Sequence, residues 1–148
     1  MTLTIRLANH HDSDWINHCY EQAQFSASNI AEEILVIADI NGSKAGLGRL
    51  IPLDEQSWEL GGMYVLPEFR EQGIAGAIVE QLLEQVPADT IYCIPFIYLL
   101  DFYMRFGFID CDPASANLPL KLIEKFSFCA QSYQQKVALL IKQPSLIH

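Results

Sequence analysis

The stretch "WELGGMYVLPEFREQGIAGAIVEQLL", Trp58 to Leu83, changes hydrophobic period part-way along. Up to Leu66 it reads as a strand, interrupted by Gly61 and Gly62. From Ile74 the apolar residues Ile74, Ile78, Leu82 and Val86 recur on one helical face, with Glu80, Gln81, Glu84 and Gln85 on the wet face. Pro67 marks the turn between them, and Pro87 stops the helix. A strand running through a tight turn into a helix is the unit from which α/β folds are built. The helix opens on Gly73 and Gly76, where each glycine costs up to about 1 kcal/mol relative to alanine. That cost implies that something must approach this backbone closely.

The rest of the chain repeats the alternation. "LTIRLA" is a strand, and "DSDWINHCYEQAQF" a helix with Trp15, Ile16, Cys19 and Ala23 at helical spacing. "EILVIADI" and "AGLGRLIPL" flank "NGSK", whose Asn41-Gly42 is a strong hairpin signal. Beyond Pro87, "TIYCIPF" reads as a buried strand and "IYLLDFYMRF" as a short helix ended by Gly107. "FIDCD" follows as a strand, "LPLKLIEKFSFCAQSY" as a helix with Pro119 near its first turn, and "KVALLIK" as a closing strand apolar on both faces, hence central. The expectation is one α/β domain over residues 1–148 with a mixed central sheet flanked by helices.

Composition narrows the function classes. Of 148 residues 51% are hydrophobic and 18% charged, which suits a globular chain. A net charge of −9 opposes binding to nucleic acid or anionic lipid and favours cationic partners, amines among them. The longest apolar run, "IYCIPFIYLL", is ten residues with Pro95 inside it, about half a membrane span. The first fifteen residues lack the basic region and apolar run of a signal peptide, so a cytoplasmic protein is expected. Cys19, Cys93, Cys111 and Cys129 form no CxxC pair and are read as reduced, mostly buried thiols. No metal site is expected, since the adjacent His10 and His11 have no cysteine pair near them.

The strand, turn and glycine-rich helix start together describe an anion site. First-turn amides lack internal partners, the helix dipole favours negative charge there, and Arg70 adds a cation. A nucleotide P-loop is excluded because no Gly-Lys-Ser/Thr follows, and "GIAG" lacks the dinucleotide GxGxxG spacing.

These residues resemble the acetyl-CoA-binding segment of the GNAT superfamily of N-acetyltransferases. The family signature is Arg or Gln, two residues, Gly, one residue, then Gly or Ala; here it reads Arg70, Glu71, Gln72, Gly73, Ile74, Ala75. The strand end Tyr64-Val65 and the turn Leu66-Pro67-Glu68-Phe69 match as well. A second landmark is a tyrosine four residues before Gly-Phe, met by Tyr103 before Gly107-Phe108. The chain departs from the pattern at Phe96, seven residues before that tyrosine, where many members carry a cofactor-contacting asparagine.

The resemblance implies a GNAT-like fold and direct transfer of an acyl group, most often acetyl, from CoA to a small-molecule or protein amine, without metal; it allows a homodimer. It places CoA at Tyr64, Val65, Arg70, Glu71, Gln72, Gly73, Ile74, Ala75 and Gly76, with the Val65 amide as the oxyanion donor. It makes Tyr103 the general acid toward the thiolate. Glu59 is the candidate base, eleven residues before Arg70, the offset at which the histone-acetylating branch carries its glutamate. Simple strand alternation would set Glu59, Gly61, Met63 and Val65 on one face. By family analogy the segment His10 to Ile30 walls the acceptor site, although His10, His11, Asp12, Asp14 and Glu21 read by themselves as solvated or capping residues. Taken alone, Gly73 and Gly76 read as close-packing glycines, Gly61-Gly62 as a bulge, Arg70 as a solvated turn residue, Tyr103 as a core aromatic and Glu59 as a solvated residue at a strand's start; their joint spacing favours function. The alternative is a catalytically silent CoA-binding sensor or interaction domain with the same fold.

Overall fold

Asn41 and Gly42 both take left-handed backbone, φ 51° and 84°, which a two-residue type I′ hairpin requires. In the computed structural model, which describes residues 2–144, they join β2 (Ile34–Ile40) to β3 (Ser43–Asp54), with Ile40 opposite Ser43. β1 (Leu3–Leu7) lies antiparallel on the other side of β2, Leu3 opposite Ile40 and Leu7 opposite Val36. With β4 (Ser57–Val65), β5 (Thr90–Cys93), β6 (Ile109–Asp110) and β7 (Leu140–Lys142), these strands make one mixed seven-stranded sheet in the order β1-β2-β3-β4-β5-β7-β6. Four helices flank it: α1 (Ser13–Gln22), α2 (Ile74–Gln85), α3 (Leu100–Met104) and α4 (Leu120–Ser132). This is the fold class expected from the alternating pattern.

The chain divides into two compact units. The first takes the chain up to Ile51 together with Leu60–Val86. Its core sets Ile16, Cys19 and Tyr20 of α1 against Leu35, Ile37 and Leu47 of the hairpin, with Tyr64 and Leu66 packed alongside. α2 buries Ile74, Ile78, Val79 and Leu82, each contributing about 1.5–3 kcal/mol by leaving water. Gly46 and Gly48, two residues apart on β3, let that helix and β4 in. A β-carbon on Gly46 would stand 3.0 Å from the Tyr64 carbonyl oxygen, and one on Gly48 would stand 2.5 Å from Met63 Sδ and 2.8 Å from Ile78 Cγ2.

The second unit takes Pro52–Glu59 and the chain from Pro87 onward. Its core joins Leu53, Tyr92, Leu122 and Leu139. Several elements are shorter than the sequence pattern predicts, among them β6, expected over Phe108–Asp112 and observed as Ile109–Asp110. β5 stops at Cys93, because Pro95 offers no amide to a ladder; pairing resumes only as an isolated bridge, Phe96 to Val137. The expected helix after Phe96 is a 3-10 turn, Ile97–Leu99, followed by the five residues of α3, and Gly107 ends it at φ 97°. β7 is three residues long yet interior, antiparallel to both β5 and β6, as its two apolar faces require. The four cysteines are free thiols, and three are buried. Among the described residues no helix is long and apolar enough to cross a membrane, and no group of three His, Cys, Asp or Glu could hold a metal ion.

Candidate active site

β4 ends at Val65, and a 3-10 turn, Pro67–Phe69, carries the chain toward α2. The turn is pinned at both ends. The Leu66 amide donates to the Ala45 carbonyl at 2.8 Å, and Arg70 Nε donates back to the Val65 carbonyl at 2.9 Å. The Arg70 guanidinium also lies 5.7 Å from the Tyr64 ring centroid. Arg70 therefore holds the strand end and the turn together with one face of its guanidinium while standing exposed at the mouth of the helix.

Gly73 is the N-cap of α2, in left-handed backbone at φ 78° and ψ 10°. Glu71, two residues earlier, is also left-handed at φ 65°. The first helical bond closes from the Ala77 amide to the Gly73 carbonyl, 3.3 Å, so the amides before it have no intrahelical acceptor. Most helices cap these donors with Ser, Thr, Asp or Asn; Gly73 has no side chain to do so, and no acidic residue lies in the first turn. A left-handed glycine, uncapped amides and an adjacent arginine fit a diphosphate. No described atom lies within 4 Å of where a β-carbon on Gly73 would project, so an anion can reach the backbone there.

The two candidate catalytic side chains belong to the second unit. Tyr103, on α3, is 7% exposed and packed edge-on against Phe102 and Phe108. Burial pushes its phenol above the ordinary value, with Cys93 adding to the effect, so the hydroxyl keeps its proton near neutral pH. Glu59, near the start of β4, is 4% exposed, and both its oxygens are met by Lys125 Nζ of α4, at 2.7 Å and 2.9 Å. It is a buried, neutralised carboxylate rather than one facing an open cleft alone. Gly62 is left-handed at φ 59° inside β4, which interrupts the alternation used to set Glu59 with Val65. Met63 and Val65 themselves lie with Ile78 around Gly46 and Gly48, on the α2 side.

Asp12, in the segment thought to wall the acceptor, is structural. It is 4% exposed, its carboxylate receives both Arg6 terminal nitrogens at 2.8 Å and 3.0 Å, and Lys44 stands at 3.2 Å. It also accepts the Asn9 amide, closing a capping box around His10–Asp12. His10, His11, Asp14 and Glu21 are exposed.

Compared with known families, the chain matches the Acetyltransferase (GNAT) family over residues 4–108. It belongs to that family. The GNAT match spans β1 to Phe108, so it includes the signature turn and the Tyr103 landmark. No curated protein matches the chain. Solved structures share the fold at low identity. N-acetylglutamate synthase from Neisseria gonorrhoeae, complexed with coenzyme A and L-arginine, aligns with a TM-score of 0.74 at 13% identity, covering 97% of this chain. This chain spans about a third of that synthase, 34% of its length. Rv2747 from Mycobacterium tuberculosis, in complex with CoA and NLQ, aligns at 0.73 and 18% identity, covering 96% of this chain and 99% of its own. The ribosomal-protein-S18-alanine N-acetyltransferase from Escherichia coli aligns at 0.71 and 13%, covering 99% and 97%.

Three features of this GNAT chain escaped the sequence reading. Gly46 and Gly48 stand at the two-residue spacing of one strand face, a signal that was available. Lys125 lies 66 residues from Glu59, and no pattern announces that pair. The third is Arg49 on β3, almost wholly buried with its Nε unpartnered among the described residues.

Proposed function

We propose that this GNAT chain, acting as one domain over residues 1–148, transfers an acyl group, acetyl in the first instance, from CoA to a primary amine. The observation that carries the reading is the uncapped, left-handed start of α2 beside Arg70. In it the amides of Gln72 to Gly76 and the Arg70 charge hold the diphosphate, Tyr64 and Val65 line the pantetheine, and the Val65 amide receives the developing oxyanion. Tyr103, kept protonated by burial, gives its proton to the departing thiolate. An alkylamine is neutral in only about one molecule in a few thousand at pH 7, so a base is needed. Glu59 takes that role, exchanging its Lys125 partner for the incoming ammonium. Acetyl transfer by an alanine N-acetyltransferase of the same fold supports an amine acceptor. A cytoplasmic setting and an acceptor other than nucleic acid or membrane complete the reading.

The Glu59–Lys125 pair also favours a second reading, a CoA-binding sensor, because a neutralised carboxylate is not a free base. Free-thiol release from acetyl-CoA over a panel of amines separates the two. Turnover is expected, with Tyr103→Phe lowering kcat by about 10²–10⁴-fold at nearly unchanged CoA affinity. Glu59→Gln should lower kcat/KM more than about tenfold. CoA binding without thiol release on any amine would leave the sensor standing.

A further inference from the structure

Lys125 of α4 is an amine set directly against the candidate base. Its Nζ meets both oxygens of Glu59, at 2.7 Å and 2.9 Å, and Glu59 has no other side-chain partner among the described residues. The carboxylate is shut in, its side chain 5% exposed, whereas the Lys125 side chain is 41% exposed and open to solvent. The chain's other lysines are placed differently. Lys44 lies over the Trp15 ring and beside Asp12, which Arg6 already holds through two hydrogen bonds. Lys121 and Lys136 are exposed and make no ion pair among the described residues. Lys142 lays its stem beside Gly107. Among these five, Lys125 alone has a carboxylate to itself.

The pair belongs to a larger cluster. Glu59, Cys93, Tyr103 and Lys125 all lie in the second unit. Burial pushes the Cys93 thiol up and the Glu59 charge adds to the rise; Cys93 adds in turn to the rise of the Tyr103 phenol. Cys93 thus ties the candidate base and the candidate acid into one neighbourhood, and Lys125 is an amine already delivered to it. An ammonium has no lone pair with which to attack, but a carboxylate at hydrogen-bond distance can take its proton. A tethered amine beside a base also holds an advantage over one arriving from solution, because its translational freedom is already lost.

We propose that Lys125 is itself an acyl acceptor of this chain, modified at Nζ from acyl-CoA, and that the modification frees Glu59 to act on other amines. The proposal rests on the roles that the acyl-transfer reading gives CoA and Glu59. Glu59 takes one proton from the ammonium, and the neutral nitrogen attacks the thioester carbonyl carbon. The C–N bond forms and the C–S bond breaks. Of the two protons that the nitrogen loses, one reaches the departing thiolate by way of Tyr103 and the other passes to water. The products are an acylated lysine and free CoA. The amide carries no charge with which to hold Glu59, so an incoming ammonium no longer has to displace a lysine built into the same chain. Acyl-CoA would then switch on the chain that uses it.

The test uses the full wild-type chain and acetyl-CoA deuterated in its acetyl group, with the modified sites read by peptide mass spectrometry. The deuterated acetyl should build up on Lys125 at least about tenfold faster than on Lys121 or Lys136, at a rate that saturates as acetyl-CoA does in calorimetry. Equal rates at the three lysines, or a rate still rising linearly beyond that point, is ordinary chemical acylation and overturns the proposal. Glu59→Gln should slow acetylation of Lys125 at least about tenfold and leave Lys121 and Lys136 unchanged; an unchanged rate at Lys125 also overturns it. Thiol release on the amine panel should rise at least about threefold once the wild type has been acetylated and freed of excess reagent. Lys125→Arg keeps a cation and cannot take the acetyl group, so the same treatment should leave it unchanged. No rise in the wild type overturns the release of Glu59. Turnover of free amines with no acetyl on Lys125 sinks the proposal and keeps the acyl-transfer reading. Saturable acetylation of Lys125 with no turnover of any free amine keeps the modification site and sinks transfer to free acceptors.

Discussion

At Gly73 the backbone stands at φ 78° with no described atom within 4 Å of a β-carbon, so a side chain there meets only the strain of left-handed backbone, about 1–2 kcal/mol. Valine would add that strain and set a branched group over the first-turn amides. Gly73→Val is expected to fold, by circular dichroism, and to bind acetyl-CoA at least about tenfold more weakly by calorimetry, a loss of about 1.4 kcal/mol. Unchanged affinity would move the diphosphate elsewhere. Asp12 makes a prediction of a different kind. The Arg6 hydrogen bonds, opposed by burial and helped by the Asn9 amide and Lys44, hold its carboxyl well below the usual carboxylate range. A depressed folded-state pKa stabilises the fold above the unfolded value, near 3.9, and that contribution is lost as pH falls toward the folded value. The wild type should therefore lose stability progressively below about pH 4. Asp12→Asn should be less stable at pH 7 and show a flatter acid limb in urea midpoints at pH 7, 5 and 3.5. Parallel limbs would assign the acid sensitivity to other groups.

The element most exposed to test is the contact of α2 with β3 and β4. Gly48 admits Met63 Sδ and Ile78 Cγ2 to within 2.5 Å and 2.8 Å of a would-be β-carbon. The methionine can swing aside. Ile78 is β-branched and held in one rotamer within a helix, so relief requires α2 itself to shift. Gly48→Ala should cost about 1–3 kcal/mol, seen as a lower urea midpoint at unchanged m-value; a neutral substitution would mean that the contact gives without α2 moving. Element existence was legible throughout, because periods of two and 3.6 differ plainly at α2 and in the β2–β3 hairpin. Element length was less so. "TIYCIPF" and "KVALLIK" look like seven-residue strands, but Pro95 withholds an amide and the two segments pair regularly over only three positions, Ile91 to Cys93 with Lys142 to Leu140.

For the molecule as a whole, a ligand that binds only the folded chain raises its stability by mass action. At a hundred times Kd, acetyl-CoA should add about 2.7 kcal/mol, a rise of roughly 5–10 °C in thermal midpoint for a chain of this size. Gly73→Val should blunt that rise and, through its own strain of about 1–2 kcal/mol, lower the unliganded midpoint by about 2–8 °C; a wild-type midpoint indifferent to acetyl-CoA would argue against the cofactor. The candidate site divides along the same scale. Arg70 through Gly76, Tyr64-Val65 and Tyr103 could be named from sequence, because a turn and a helix start are local and their chemistry lies in consecutive residues. Glu59 could be named but not its state, since Lys125 arrives from α4, 66 residues away.

The order of strands and helices, the Asn41-Gly42 turn and the glycine-rich start of α2 follow from the sequence by itself, because backbone sterics and hydrophobic period act over a few residues. Only the tertiary structure decided that Asp12 is an ion-paired cap, that Glu59 is neutralised, and that Arg49 and the Tyr20 hydroxyl meet unpartnered beside Gly62. Those outcomes depend on which distant side chains share a low-dielectric interior. A buried charge or hydroxyl takes its meaning from the partners that packing brings to it.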